Sequence, residues 1–224
     1  MKAGSATRSP PTASPTNASV SASTTIGREP RLLPPANPPP PPARLFVAIA
    51  LPDSVRADLA RHARPIEGVT WTPPEQLHLT LRFLGELDSP AEERVRERLR
   101  GIRVEPFILP LEGLGTFPPQ VPARVLWLGI GRGHPRLFQL RQRLDDALIA
   151  AGLTLDLRTF QPHVTLARMT ELAGPALAAW AKSSRQLAAP PFRVAAIDLC
   201  ASTLRPEGAV HTLHERFPLA GPTA

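Results

Sequence analysis

The sequence predicts a domain that mixes strands and helices in two similar halves. The order strand, helix, strand, helix occurs twice between residues 44 and 187. In each copy the second strand opens on the same pair, a histidine followed two positions later by a threonine. An order of elements that recurs with one motif in the same place indicates an internal duplication.

The first copy begins at RLFVAIALP (44–52), which is short, apolar and closed by a proline, as is typical of a buried strand. An aspartate follows directly and is expected to cap a helix over 53–65. The first histidine strand is HLTLRFLG (78–85). A second helix is predicted from Ser89, as its N-cap, to Gly101.

The second copy repeats this order in a diverged sequence. RVLWLGI (124–130) reads as a strand, and residues 135–151 have the apolar spacing of an amphipathic helix. The second histidine strand is HVTLAR (163–168), and an alanine-rich helix is predicted over 174–187.

Residues 1–43 have a different composition, rich in serine, threonine, alanine and proline, and end in the run Pro38–Pro42. Such a segment buries too little apolar surface to offset the entropy of ordering. We therefore expect a disordered tail, followed by one domain over 44–224. A ligand for a proline-recognition domain is an alternative use of the proline run.

Composition excludes several classes of site. Cys200 is the single cysteine, so neither an internal disulfide nor a cysteine-based zinc site can form. No stretch reaches the ~18 consecutive apolar residues of a membrane span, and no compact apolar segment opens the chain, so the cytoplasm is expected. A net charge of +7 is compatible with an anionic substrate such as RNA without establishing one.

Alternation along a strand places the two polar residues of each motif on one face. His78 and Thr80 share a face with Arg82, while the leucines between them point the other way. His163 and Thr165 also share a face, and Arg168 falls on the opposite one unless the strand bulges. One histidine on a sheet is usually structural, but two in the same place of a repeat favour a function.

Two histidines suit proton transfer in both directions. With an ordinary pKa of about 6.5, one imidazole can be neutral and the other charged near neutral pH. The neutral one would take a proton from an attacking water, and the charged one would give a proton to a leaving oxygen, as phosphodiester cleavage requires. The threonine hydroxyls could donate hydrogen bonds to the phosphate oxygens.

A metal site and a serine hydrolase are weaker interpretations. The chain lacks a His-Glu-x-x-His motif and a cysteine pair, and neither HLTLRFLG nor HVTLAR contains a carboxylate. A Gly-x-Ser-x-Gly elbow is also absent from the sequence. We therefore expect neither a metal nor a cofactor.

At these motifs the sequence resembles the 2H phosphoesterase superfamily, which is named for two His-x-Thr/Ser motifs. Within it, the chain is similar to the bacterial and archaeal RNA 2′,3′-cyclic phosphodiesterases, originally called 2′-5′ RNA ligases. The similarity covers roughly residues 44–219 and rests on the segments RLFVAIALP, LHLTLRFLGE, ARVLWLGI, FQPHVTLAR and CASTLRPEGAVHTLHERFPL.

The resemblance implies an α+β fold of two pseudo-symmetric lobes, each an antiparallel sheet with helices on its outer face, enclosing a central active-site groove. It implies metal-independent hydrolysis of an RNA-terminal 2′,3′-cyclic phosphate to a 2′-phosphate, with reversible 2′-5′ RNA ligation as a related activity. By position, His78 would be the proton donor and His163 the proton acceptor. Thr80, Thr165 and Arg168 would then hold the phosphate.

Other residues are candidates for contact with the rest of the substrate. His211 stands where the family often has a tyrosine, and Phe46, Trp71 and Arg82 are further candidates. Two other functions stay open: a phosphodiesterase of small cyclic phosphates, and an RNA-binding or tRNA-handling module with incidental catalysis. The expected partner is an RNA 3′ end or a small cyclic nucleotide, bound by a monomer.

Overall fold

The computed structural model describes residues 44–119, 122–156, 158–205 and 208–221. The tail predicted over 1–43 lies outside the described residues, so its expected disorder stays a prediction. Among the helices in these ranges, none is long and apolar enough to cross a membrane.

The described part contains four α-helices and ten strands. The helices are α1 (Asp53–Ala60), α2 (Ser89–Arg100), α3 (Pro135–Ala150) and α4 (Gly174–Ser183). The strands are β1 (Arg44–Ala50), β2 (Val69–Trp71), β3 (His78–Glu86), β4 (Phe107–Glu112), β5 (Leu114–Phe117), β6 (Val125–Leu128), β7 (Val164–Met169), β8 (Ala188–Val194), β9 (Ala196–Arg205) and β10 (Gly208–Pro218). Every predicted helix and strand is therefore present.

The ends of the helices differ from the prediction. The N-cap of α2 is Asp88, whose carboxylate accepts a hydrogen bond from the Ala91 N–H at 2.8 Å, and Ser89 is the first helical residue. Likewise Asp53 is the first residue of α1 rather than its cap. An acidic side chain in the first turn still interacts favourably with the helix dipole, so the sequence signal was correct within one residue.

Eight of the strands form one antiparallel sheet. Its order is β10-β9-β1-β3-β7-β6-β5, with β2 alongside β7, while β4 and β8 form a separate two-stranded sheet. The α+β class and the antiparallel pairing are confirmed. The family resemblance implied an antiparallel sheet in each lobe, and in the structure the pair Leu79–Val164 of β3 and β7 joins the strands of both halves.

After each copy, one strand pairs with the first strand of the other copy. β5, which follows the first copy, pairs with β6, and β9, which follows the second copy, pairs with β1. The register of β9 on β1 runs from Arg44 opposite Ser202 to Ala48 opposite Asp198. Neither half therefore completes its part of the sheet from its own residues.

One continuous apolar core underlies both halves. Alternate residues of the central strands, such as Val47, Leu79 and Val164, are fully buried in it. Helix α3 contributes Leu140 and Leu144 to the same cluster. The His-Thr pairs of the histidine strands therefore point away from this core, as the alternation predicted.

Gly115 on β5 makes room for an aromatic side chain of the neighbouring strand. The Trp127 indole lies so close to the Gly115 backbone that a Cβ atom there would overlap the ring. Replacing Gly115 with alanine should force the indole to move and lower the free energy of unfolding by about 1–3 kcal/mol. Chemical denaturation measures this change.

Gly174 provides the control for that substitution. A Cβ atom at Gly174 would meet no heavy atom within 4 Å among the described residues. Its replacement with alanine should leave the unfolding midpoint close to that of the unmodified protein. Equal stability of the two variants would contradict the packing argument.

Candidate active site

The two histidine strands are neighbours in the sheet and run antiparallel. Leu79 and Val164 face each other and are fully buried, so the flanking polar residues lie on the opposite face. Because the strands are antiparallel, His78 is next to Thr165 across the strand pair, and Thr80 is next to His163. The four side chains thus surround one point in a two-fold arrangement.

Backbone carbonyls fix the orientation of both imidazoles. His78 Nδ1 lies 2.7 Å from the Gln76 carbonyl oxygen, and His163 Nδ1 lies 2.7 Å from the Gln161 carbonyl oxygen. Because a carbonyl only accepts, Nδ1 is the donor in each ring, and Nε2 is the nitrogen available for chemistry.

The His78 Nε2 lies 3.1 Å from the Thr80 hydroxyl, within its own motif. A repeated Gln-x-His-x-Thr pattern was visible in the sequence, in EQLHLT and FQPHVT. The pattern does not require the glutamine side chains, since both contacts involve backbone oxygens.

A β-bulge changes the face of the residues that directly follow it, Arg82 and Phe83. Ala48 is opposite Thr80 but Val47 is opposite Arg82, so Leu81 is the extra residue on β3. Arg82 therefore joins Leu81 on the helix side, where its guanidinium donates to both carboxylate oxygens of Asp145 at 2.9 and 2.7 Å. The prediction that Arg82 faces the substrate is wrong for this reason.

The second histidine strand contains the same bulge. Trp127 is opposite Thr165 but Leu126 is opposite Ala167, which leaves Leu166 as the extra residue on β7. The bulge returns Arg168 to the histidine face, which plain alternation did not predict. Within the described ranges the Arg168 guanidinium is exposed and makes no hydrogen bond or ion pair.

Aromatic rings pack beside each histidine. The Phe46 and His211 ring centroids lie 5.1 and 4.8 Å from that of His78. Phe117 and Trp127 lie 5.0 and 6.0 Å from His163. These rings restrict the movement of both imidazoles without touching the helix-side core.

Two of the predicted substrate contacts are not available to a ligand. Phe46 is only 2% exposed because the rings of His78, His211 and Phe83 cover it. It therefore packs beneath these rings and does not face a ligand. Trp71 packs against Trp180 on the core side, 5.1 Å between ring centroids. Aromatic residues near strands are more often buried than free, and both residues follow that rule.

Sequence reasoning missed Phe83, which the bulge in β3 brings to the histidine face. Phe83 lies opposite Phe46 in the register, with 6.0 Å between the ring centroids. The Phe83 side chain is 72% exposed, so it presents a large apolar surface to solvent beside the site. Phe83 and Arg168 occupy the same position, five residues after the histidine, in the two motifs.

The environment lowers the pKa of His78 to about 4. Burial is the largest cause, and the charges of His211 and His163 act in the same direction, while the hydrogen bond to the Gln76 carbonyl opposes them. Burial also lowers the pKa of His211, and the charge of Arg168 adds to that effect. Both shifts favour the neutral imidazoles of His78 and His211, while the Arg168 guanidinium supplies a positive charge beside them.

Other kinds of chemistry find few candidates here. In the ranges that the structure covers, no three His, Cys, Asp or Glu residues are grouped so that they could hold a metal ion. Burial, with the charge of Asp198 beside it, raises the pKa of the Cys200 thiol to about 12, so the thiol is inert as a nucleophile.

The chain is similar to known proteins in sequence. A sequence profile of the 2'-5' RNA ligase superfamily matches residues 51–204. The RNA 2',3'-cyclic phosphodiesterase of Aeropyrum pernix is 36% identical over 143 residues, which are 63% of this chain and 81% of that protein. The enzyme of the same name from Thermus thermophilus is 36% identical over 190 residues, or 80% and 91% of the two chains.

A solved structure shows the same fold. The crystal structure of E. coli LigT in apo form superposes with a TM-score of 0.64 at 30% identity, covering 80% of this chain and 98% of that one. The matched region contains both histidine motifs, so sequence and structure agree on the family. The chain belongs to the 2'-5' RNA ligase superfamily, and it is a 2H phosphoesterase.

Proposed function

We propose that the protein hydrolyses the 2′,3′-cyclic phosphate at an RNA 3′ end to a 2′-phosphomonoester. The observation that carries this proposal is the two-fold arrangement of two His-Thr pairs about Leu79–Val164, with both Nε2 atoms available. The relatives named RNA 2',3'-cyclic phosphodiesterase support the choice of substrate.

In the proposed reaction the two histidines act on opposite sides of the phosphorus atom. His163 Nε2 takes a proton from water as the water oxygen bonds to phosphorus. The bond from phosphorus to the 3′ oxygen breaks, and His78 gives that oxygen a proton, leaving a 3′ hydroxyl and a 2′-phosphate. An attacking oxygen and a leaving oxygen in line need an acid and a base on opposite walls.

The remaining polar groups would bind the non-bridging oxygens. The Thr80 and Thr165 hydroxyls lie on the histidine face of the two strands, and the free Arg168 guanidinium follows on the same face. Hydrogen bonds from such fixed donors strengthen as negative charge builds in the transition state. The 5′ hydroxyl of a second RNA in place of water would give a 2′-5′ linkage by the same chemistry, with the 3′ oxygen again leaving.

The lowered pKa of His78 fits a proton donor that acts only on bound substrate. In its present surroundings the imidazole is neutral near pH 7, because burial and like charges disfavour the cation. An anionic phosphate within hydrogen-bonding distance favours the cation and raises the pKa. A buried imidazolium is then a strong acid toward the leaving oxygen.

The site also offers surfaces for the nucleotide that carries the phosphate. Phe83 presents an exposed ring and His211 a half-buried one, on which a nucleobase could stack. All of these groups come from a single chain. We propose that the enzyme acts as a monomer in the cytoplasm, without a metal or cofactor.

The reaction is tested with an RNA oligonucleotide that ends in a 2′,3′-cyclic phosphate, next to 2′,3′-cyclic AMP, in buffer containing EDTA. The oligonucleotide should give only the 2′-phosphomonoester, as identified by chromatography and mass spectrometry. If only 2′,3′-cyclic AMP is hydrolysed, the substrate is a small cyclic nucleotide rather than an RNA end. A tenfold loss in EDTA that a divalent ion restores would contradict the metal-free mechanism.

Replacing either His78 or His163 with alanine should lower kcat by at least ~10²-fold, the usual scale of general acid–base catalysis. The matched control is His62→Ala, because His62 lies outside the site and its hydrogen bonds among the described residues use the backbone: its N–H donates to the Leu59 carbonyl and its carbonyl accepts from the Trp180 indole. Near-normal turnover by either of the first two variants would remove that histidine from the mechanism.

Titration of the His78 imidazole by NMR should give a midpoint near pH 4. Addition of inorganic phosphate should move the midpoint up by about one unit or more, because the anion stabilises the protonated ring. The His78→Ala spectrum identifies the signal. A midpoint that phosphate leaves unchanged would show that the ring does not contact the anion.

A second consequence of the same pKa concerns stability. The neutral imidazole is favoured in the folded protein, whereas the unfolded chain protonates His78 at about pH 6.5. The contribution of His78 to stability is therefore present above pH 6.5 and is lost as the pH falls toward 4. A loss of stability at lower pH is the direction expected for a histidine that is buried in its neutral form.

A further inference from the structure

A buried ion pair lies on the helix side of the first histidine strand. The Arg82 guanidinium grips both oxygens of the Asp145 carboxylate, and the two side chains are only 10% and 20% exposed. Arg82 also donates to the carbonyl oxygen of Asp156, in the segment between α3 and β7. One arginine thus connects β3 to a helix and to the chain that leads to β7.

Two further contacts extend this connection to the second motif. Arg141, one turn before Asp145 on α3, donates to the same carboxylate at 3.0 and 3.1 Å. The Arg141 guanidinium lies over the Phe160 ring, 4.5 Å from its centroid. Phe160 precedes His163 by three residues, so the contacts run from one histidine motif to the other. We call Arg82, Asp145 and Arg141 the brace.

The brace spans strands that the sheet itself holds weakly. Among the described residues, β3 and β7 share the single pair Leu79–Val164, after which they diverge. Most other neighbours in the sheet share four or more pairs. The brace therefore provides a second link between the two motifs, on the opposite face from the imidazoles.

Stability alone does not explain such a group. Two arginines and one aspartate leave an excess positive charge near the core, which a carbonyl and an aromatic ring offset only in part. Replacing a buried ionic triad by apolar residues of similar size is often neutral or stabilising. What apolar residues cannot supply is the fixed geometry of a bidentate guanidinium.

We propose that Arg82, Asp145 and Arg141 are positioning residues that set the distance between the His78 and His163 imidazoles in the active site. The inference rests on the proposed function, because that spacing matters only if both imidazoles act on one phosphorus atom. The brace touches neither substrate nor imidazole. Its loss should therefore affect the chemical step more than binding.

The decisive variant replaces all three residues: Arg82→Met, Asp145→Leu and Arg141→Met. Its thermal midpoint should equal or exceed that of the unmodified protein. Its kcat should fall at least ~10-fold with KM changed less than ~3-fold, because a misplacement of about 1 Å costs up to 10²-fold. A stable triple variant with unchanged kcat would overturn the proposal.

A readout without substrate separates this proposal from the proposed function. If the two histidine motifs move apart, water reaches His78 and the distance from His78 to His163 increases. The NMR titration midpoint of His78 should therefore rise in the triple variant. A midpoint that stays near 4 in the folded variant would contradict the brace. Failure of the unmodified protein to cleave the cyclic phosphate would instead contradict the proposed function.

Two single variants complete the experiment. Arg82→Lys keeps the positive charge but loses the bidentate contact with Asp145, so it should lower kcat several-fold at constant KM. This variant tests the proposal even if the triple variant does not fold. An unchanged kcat in Arg82→Lys would count against the brace. Arg136→Met is the matched control, since Arg136 lies on the same helix and its ion pair with Glu105 is exposed. Its kcat should equal that of the unmodified protein.

Discussion

The contact between Leu79 and Val164 is the constraint on which the site depends. Both side chains are fully buried, and each such burial contributes about 1.5–3 kcal/mol. Because strand residues alternate, fixing these two inward turns both His-Thr pairs outward. Because the strands are antiparallel, the pairs are related by a two-fold axis rather than stacked side by side. The proposed acid and base on opposite sides of one phosphorus atom depend on that symmetry.

Alternation predicted the face of both His-Thr pairs but failed directly after each threonine. His78, Thr80, His163 and Thr165 lie before the bulges, where the period of two holds. Arg82, Phe83 and Arg168 lie after them, and each faces the other way from its parity. A bulge inserts one residue without a distinctive local composition, so a single sequence gives little warning of it.

Burial set a different limit on the sequence analysis. Strands and helices close to the motifs were predictable because their apolar patterns are local. That Phe46 is covered by His211 and that Trp71 packs on Trp180 depends on rings from a strand and a helix distant in the sequence. The pairing of β9 with β1 is likewise non-local, which is why two lobes were expected where the structure has one continuous sheet. The family resemblance supplied the fold class, and the local patterns alone did not.

The exchange of strands between the halves has a consequence for how the chain folds. While the protein is being made, β1 and β3 have emerged long before β9, so Phe46 and its neighbours wait for Cys200 and Ser202. Contacts this distant along the chain close slowly, and an unpaired strand edge stays exposed until they do. A nascent chain that stops after the first motif would hold His78 in an incomplete sheet. Catalytic competence therefore arises only after the second copy has been translated, and the two halves mature together.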